Sequence, residues 1–158
     1  MRRSDREIKD MKDIIAVMEK CDVCRLAFND EGYPYILPLN FGMEVVEGRI
    51  TLYFHGAAEG RKYELMAKDN RVSFEMDCSH RLVMTQNGGS CSCTMEYESV
   101  IGRGLLEMVA EEEKYGALCA LMKHYRGEGC AFDRSVMSRT NVFKLTVEAV
   151  TGKARMKK

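Results

Sequence analysis

The residues best suited to chemistry lie in Tyr53-Phe54-His55-Gly56-Ala57-Ala58-Glu59-Gly60-Arg61-Lys62. An apolar run ends at His55, small residues follow, and two cations open what reads as a helix. Small residues let backbone approach a ligand closely. Exposed N–H groups at a helix start favour an anion. Arg61 offers a planar fork for phosphate oxygens, and Lys62 offers a point charge. Cations at a helix N-terminus oppose the helix dipole, a conflict that a bound anion would relieve. The same residues also fit an ordinary loop leading into a solvated helix. The stretch matches neither the dinucleotide GxGxxG nor the GxxxxGK[ST] phosphate loop, so those folds are unsupported.

A second candidate is Pro38-Leu39-Asn40-Phe41-Gly42. Asn40 amid an apolar strand could hydrogen-bond the heteroatoms of a ring. It fits equally a strand end with a satisfied amide. Cys21 and Cys24 have CxxC spacing, and Cys91 and Cys93 have CxC spacing. Zinc would take four ligands from two such hooks, but Cys21–Cys24 straddles a helix end and a strand. No βαβ context supports a thioredoxin-like motif. The thiols read as reduced and packed rather than as metal ligands, so no metal is expected. His55 is the histidine placed for function, because it ends a strand beside the small-residue loop. His124 reads as a packing or surface residue, and His80 falls in an expected loop without an evident partner. No Ser/His/Asp constellation or acid–base carboxylate pair stands out.

The elements that must carry these residues follow from periodicity. Ser4 with Glu7 forms a capping box, and Ile8, Met11, Ile14, Ile15 and Met18 predict a helix over residues 5–20. Strands are expected at Val23–Phe28, Tyr33–Met43 and Ile50–His55, with turns at Asn29–Gly32 and Glu47-Gly48. A helix follows over Arg61–Lys68 and a strand over Arg71–Asp77. Cys78–Cys93 resists assignment, and Asn87-Gly88-Gly89-Ser90 marks a loop within it. Thr94–Val109 is β-rich, with Gly102 and Gly104 marking a bulge or a close backbone approach. Glu111–Tyr125 reads as a helix and Val142–Val150 as a last strand. The sum is five to seven strands and three helices, an α+β, mainly antiparallel sheet that would close as a small barrel.

Bulk properties narrow the partners. A chain of 158 residues without a Pro/Ser-rich linker or repeat suits a single domain spanning residues 1–158. Its composition, 46% hydrophobic and 30% charged, is that of an ordinary soluble protein. Formal net charge is zero, which gives no electrostatic case for nucleic acid or an anionic membrane. No apolar run is long enough to span a bilayer. The first residues lack the apolar core of a secretory signal. Seven cysteines, an odd number, fit reduced thiols in a cytoplasm.

A family resemblance joins the two candidate stretches. Arg25-Leu26-Ala27-Phe28, Gly32-Tyr33-Pro34-Tyr35, Pro38-Leu39-Asn40-Phe41, Leu52–Ala57, Gly60-Arg61-Lys62 and Ser99-Val100-Ile101-Gly102 occur in this order across nearly the whole chain. The pattern resembles the pyridoxamine 5'-phosphate oxidase-like FMN-binding superfamily, and within it the nitroimidazole-resistance (Nim-type) flavoproteins. The resemblance implies an FMN-binding split β-barrel with peripheral helices. It implies a homodimer with FMN at the subunit interface. Arg61 and Lys62 would bind the phosphate, with His55, Gly56 and Ala57 lining its approach. Leu39, Asn40 and Phe41 would border the isoalloxazine. Ser99, Val100 and Ile101 would complete the cleft from the partner chain. His55 would act near the flavin in an FMN-dependent oxidoreductase, a reductase of small, nitro-aromatic acceptors. The same fold also hosts flavin-binding modules without turnover, and haem proteins for which His55 or His124 would be the axial ligand. Pyridoxamine-phosphate oxidase activity proper is not expected, because the C-terminal Lys153, Arg155, Lys157 and Lys158 read as a solvated tail.

Overall fold

The computed structural model describes residues 3–84, 93–127, 137 and 140–156. A 3₁₀ turn at Ser4–Arg6 leads into the short strand β1 (Glu7–Ile8). Helix α1 (Met11–Lys20) follows, then β2 (Cys24–Phe28), β3 (Tyr35–Leu39), β4 (Gly42–Val46) and β5 (Arg49–Gly56). Helix α2 (Arg61–Lys68) precedes the long strands β6 (Arg71–Met84) and β7 (Cys93–Met108). Helix α3 (Lys114–Arg126) and β8 (Asn141–Arg155) complete the chain.

The expected first helix is corrected at its start. Ser4 and Glu7 form no capping box, because Glu7 and Ile8 pair with Lys153 and Gly152 of β8. The N-cap is Asp10, whose carboxylate accepts the Lys12 N–H at 2.9 Å. The helix then buries Ile14 and Met18 of the predicted stripe together with Val17, whereas Ile8 lies in β1 and Met11 is 43% exposed.

All strands join one antiparallel sheet in the order β3-β2-β6-β7-β8-β5-β4, with β1 beside β8. The expected single strand Tyr33–Met43 is in fact two, β3 and β4, which lie at opposite ends of that order. Only Asn40 and Phe41 connect them. Three residue steps reach about 11 Å at most, so the sheet must curl until its two edges meet. The edges do not pair, which leaves a split barrel with a seam at Asn40–Phe41. Helix α3 lies against β4 beside this seam, so close that a Cβ on Gly42 would strike the Ala120–Leu121 backbone.

The barrel interior is filled by Phe28, Phe54, Phe74, Phe143, Leu52 and Met76, all at most 1% exposed. Each such side chain contributes about 1.5–3 kcal/mol by leaving water. On β7, positions 100, 102, 104 and 106 face inward. A Cβ on Gly102 would strike the Phe74 ring, and one on Gly104 the Thr146 carbonyl. Both glycines therefore serve close approach, and a register shift falls between Arg103 and Gly104.

The segment that resisted assignment is the outer half of the β6–β7 hairpin. Pairing runs from Arg71↔Leu105 to Met84↔Cys93, interrupted by a bulge between Cys78 and Arg81. Ser79 there has φ 58°. His80 sits on this strand rather than in a loop, and its Nε2 lies 2.8 Å from Asp77. Asn87–Ser90 and Cys91 lie outside the described residues.

Candidate functional site

The end of β5, the turn after it and the first turn of α2 form the site. Side chains alternate along β5, so Leu52 and Phe54 enter the core while Tyr53 and His55 face outward. Gly56 returns to the inner side. A Cβ there would lie 3.1 Å from Lys62 Nζ and 3.2 Å from the Tyr63 hydroxyl. A Cβ on Gly60, whose φ is +139°, would lie 3.5 Å from the same ammonium. Small residues at positions 56 and 60 thus leave the space into which Lys62 folds back over the turn. Its ammonium lies 4.4 Å from the Tyr63 ring centre and forms no ion pair with a carboxylate among the described residues. Helix α2 begins at Gly60 with no side-chain cap, so its first N–H groups lack the usual partner.

The turn is pinned from one side. Tyr63 donates its hydroxyl to the Ala57 carbonyl at 2.8 Å, and Asn141 donates its amide to the Ala58 carbonyl at 3.2 Å. A peptide's N–H points opposite to its C=O, so these two bonds turn the N–H groups of Ala58 and Glu59 the other way. Burial raises the Tyr63 pKa, which keeps the hydroxyl a neutral donor. Sequence reasoning missed Tyr63 and Asn141. The first has a local signal, an aromatic hydroxyl two residues into a helix that follows a glycine turn. The second has none, being 83 residues from its partner.

Arg61 is committed differently. Its Nε donates to Asp30 at 2.9 Å, and its Nη2 reaches both Asp30 oxygens at 2.6 and 2.7 Å. Nη1 has no partner among the described residues. The guanidinium holds the Asp30 carboxyl below the usual carboxylate range. Asn29 donates to Asp69 at 2.7 Å, so the turn between β2 and β3 grips both ends of α2. Arg71 is the main cause of the still lower pKa of Asp69.

The other predicted residues fall into separate places. His55 is exposed and faces the side opposite to Gly56, so it does not join Lys62 at the turn. Ala57 lies in the turn itself. Phe41 is fully buried with its ring 4.3 Å from that of His124, so its side chain faces the core. Its N–H and the Asn40 amide both bond the Tyr125 hydroxyl, at 3.1 and 3.2 Å. Leu39 is half-buried against the core. These residues anchor the seam to the end of α3. His124 Nε2 lies 2.8 Å from the Cys21 carbonyl, so axial ligation would break that bond.

Ser99, Val100 and Ile101 are remote within one chain. Ile101 pairs with Thr151 of β8, whereas His55 pairs with Val142. Nine residues, about 30 Å of extended strand, separate these positions. Val100 is buried, while Ile101 is 58% exposed on the outer face. Within one chain, this strand does not reach the turn.

A cavity of 720 Å³ shares Ala58, Tyr63 and Asn141 with the turn and extends to Met66, Leu106 and Met108. Its size suits a small organic ligand. Among the described residues, no group of three or more His, Cys, Asp and Glu is placed to hold a metal ion. Among the same residues, no helix is long and apolar enough to cross a membrane.

A curled, unclosed antiparallel sheet flanked by three helices is the split-barrel class of fold. The likeness is borne out by a candidate 5-nitroimidazole antibiotic resistance protein from Bacteroides thetaiotaomicron, 33% identical at a TM-score of 0.80. That match covers 94% of this chain and 86% of the other. An FAD- and haem-binding protein from Mycobacterium smegmatis shares the fold at 18% identity and TM-score 0.79, over 96% of this chain and 74% of its own. A flavocytochrome from Azotobacter vinelandii does so at 17% identity and TM-score 0.78, over 99% and 72%. No curated protein sequence matches the chain. The family model for pyridoxamine 5'-phosphate oxidase matches residues 10–154, and the chain belongs to that family.

Proposed function

We propose that this protein binds FMN and serves as a flavin-dependent reductase of small acceptors, nitro-aromatic compounds among them. The observation that carries the reading is Lys62, an ammonium without a carboxylate partner, folded over a glycine turn at an uncapped helix start. The turn fits a phosphate monoester: it supplies a cation, unpartnered N–H groups and two positions without side chains. Arg61, held by Asp30, keeps Nη1 for a phosphate oxygen. Family membership and the 33% identity to a candidate nitroimidazole-resistance protein support both cofactor and acceptor.

Bound FMN supplies the capacity to accept and pass on two electrons. The chain's own part is to fix the phosphate at Lys62 and to hold the turn rigid through Tyr63 and Asn141. Completion of the cleft calls for a homodimer. Ile101 and Leu105 expose apolar side chains on the outer face of β7, which suits burial against a second copy. Free thiols at Cys21, Cys24, Cys78, Cys93 and Cys119 suit a reducing cytoplasm.

The absorption spectrum of the purified protein tests the reading. Flavin bands, or their appearance on adding FMN, are expected. A protein that stays colourless and fails to bind added FMN refutes it. Anaerobic reduction followed by a nitro-aromatic should reoxidise the bound flavin. If no acceptor does so, the protein is a flavin-binding module without turnover.

A further inference from the structure

A cluster of sulfurs lies at the other end of the sheet, where α1 meets β6. Cys21 follows α1, is 1% exposed, and donates its thiol to the Val17 carbonyl at 3.2 Å. Cys78, half-buried on β6, places its sulfur 3.9 Å from the same carbonyl oxygen, so both thiols converge on one acceptor. Cys24 is buried at the start of β2 and, among the described residues, does not share the Val17 carbonyl. Cys93 is at the far end of the hairpin, paired with Met84, and Cys119 is on α3. Cys21 and Cys78 therefore stand apart as the pair that meets at one carbonyl oxygen.

The surroundings of the two sulfurs differ. Ser79 Oγ lies 3.6 Å from Cys78 Sγ and 2.7 Å from Glu98 Oε2. Glu98 anchors the Lys20 ammonium at 3.0 Å, so Cys78 borders polar and charged groups. Around Cys21, burial, with the carboxylates of Asp77 and Glu75 nearby, pushes the thiol up. The bulge after Cys78 leaves two residues out of the ladder, which gives this stretch local freedom to reposition a sulfur.

We propose that Cys78 and Cys21 form an oxidisable thiol pair that hydrogen peroxide converts to a disulfide. Cys78, the more accessible sulfur, attacks one peroxide oxygen. The O–O bond breaks, one water leaves, and Cys78 becomes a sulfenic acid. The Cys21 sulfur then attacks the Cys78 sulfur, the S–O bond breaks, and the Cys21 proton leaves with the hydroxyl as a second water. The two electrons lost by the sulfurs reduce one peroxide. The bridge would tie the end of α1 to β6, and a thiol reductant would reverse it. This pairing stands independently of the flavin reading.

The full-length reduced protein, treated with hydrogen peroxide, quenched and denatured, provides the test. Titratable thiols should fall from seven to five. A non-reduced digest should contain the Cys21–Cys78 cross-linked peptide, which dithiothreitol removes. Cys21→Ser should stop at a Cys78 sulfenic acid, trapped by a 1,3-dione, and Cys24→Ser should still form the bridge. A wild-type digest with Cys78 unmodified, or with Cys78 bridged to another cysteine, overturns the proposal. That digest decides the matter even where a variant fails to fold.

Discussion

Replacing Lys62 by Ala isolates the contribution of one cation to cofactor binding. The ammonium is half-buried, has no ion pair among the described residues, and lies over the turn at Gly56 and Gly60. Its loss leaves no buried charge unpaired, so stability should change by only about 0.5 kcal/mol. A charged hydrogen bond to phosphate contributes about 1.5–3 kcal/mol. At about 1.4 kcal/mol per decade, the FMN dissociation constant should rise about ten- to a hundredfold. Titrating the apoprotein while following flavin fluorescence measures this. Riboflavin, which lacks the phosphate, is the internal control: its affinity should be nearly the same in both proteins. The preference for FMN over riboflavin should therefore shrink in Lys62→Ala, and added salt should weaken FMN binding less than in the wild type. An unchanged FMN dissociation constant, or an equal loss for riboflavin and FMN, would remove the phosphate from this turn.

Further outcomes follow from particular contacts. Gly104→Ala drives a Cβ into the Thr146 carbonyl and should cost about 3 kcal/mol or more, read as a lower urea midpoint. Ile101→Lys places a charge on the outer face of β7, where this position is 58% exposed. It should leave the fold of each chain intact while shifting sedimentation from dimer to monomer and weakening FMN retention. An unchanged mass would reject that face as the interface. The Asp30 carboxyl is held below its ordinary pKa chiefly by its hydrogen bond to Arg61. The stabilisation from this pair is present above the unfolded carboxylate value of about 4 and is lost as pH falls through the lower folded value. Urea midpoints between about pH 6 and pH 2.5 should therefore drop less steeply in Asp30→Asn. Parallel curves would show that the pair contributes nothing to acid sensitivity.

Much of this protein is written locally in its sequence. The alternation in Ile50–His55 and Val142–Val150 specified strands, since a half-buried sheet needs period-2 patterning. The spacing of Ile14, Ile15 and Met18 specified a helix, and Glu47-Gly48 a tight turn, where both residues adopt positive φ. The proposed anion site at Gly56–Lys62 was legible because it depends on small residues and cations adjacent in the chain. Ser4 misled because it satisfies a capping pattern, while pairing of Glu7 with β8, a contact across 146 residues, takes precedence. The split between β3 and β4 was not legible either. Asn40 and Gly42 interrupt the apolar run within Tyr33–Met43, but only barrel closure decides that Asn40 and Phe41 must cross from one edge to the other. Tertiary structure alone also decided that Arg61 meets Asp30, that Phe41 turns inward, and that Lys62 folds over Gly56 on the side away from His55. The sequence by itself determined which residues could attract a phosphate. Curling the sheet determined which of them share a face, because strand order and side-chain direction depend on contacts distant in the chain.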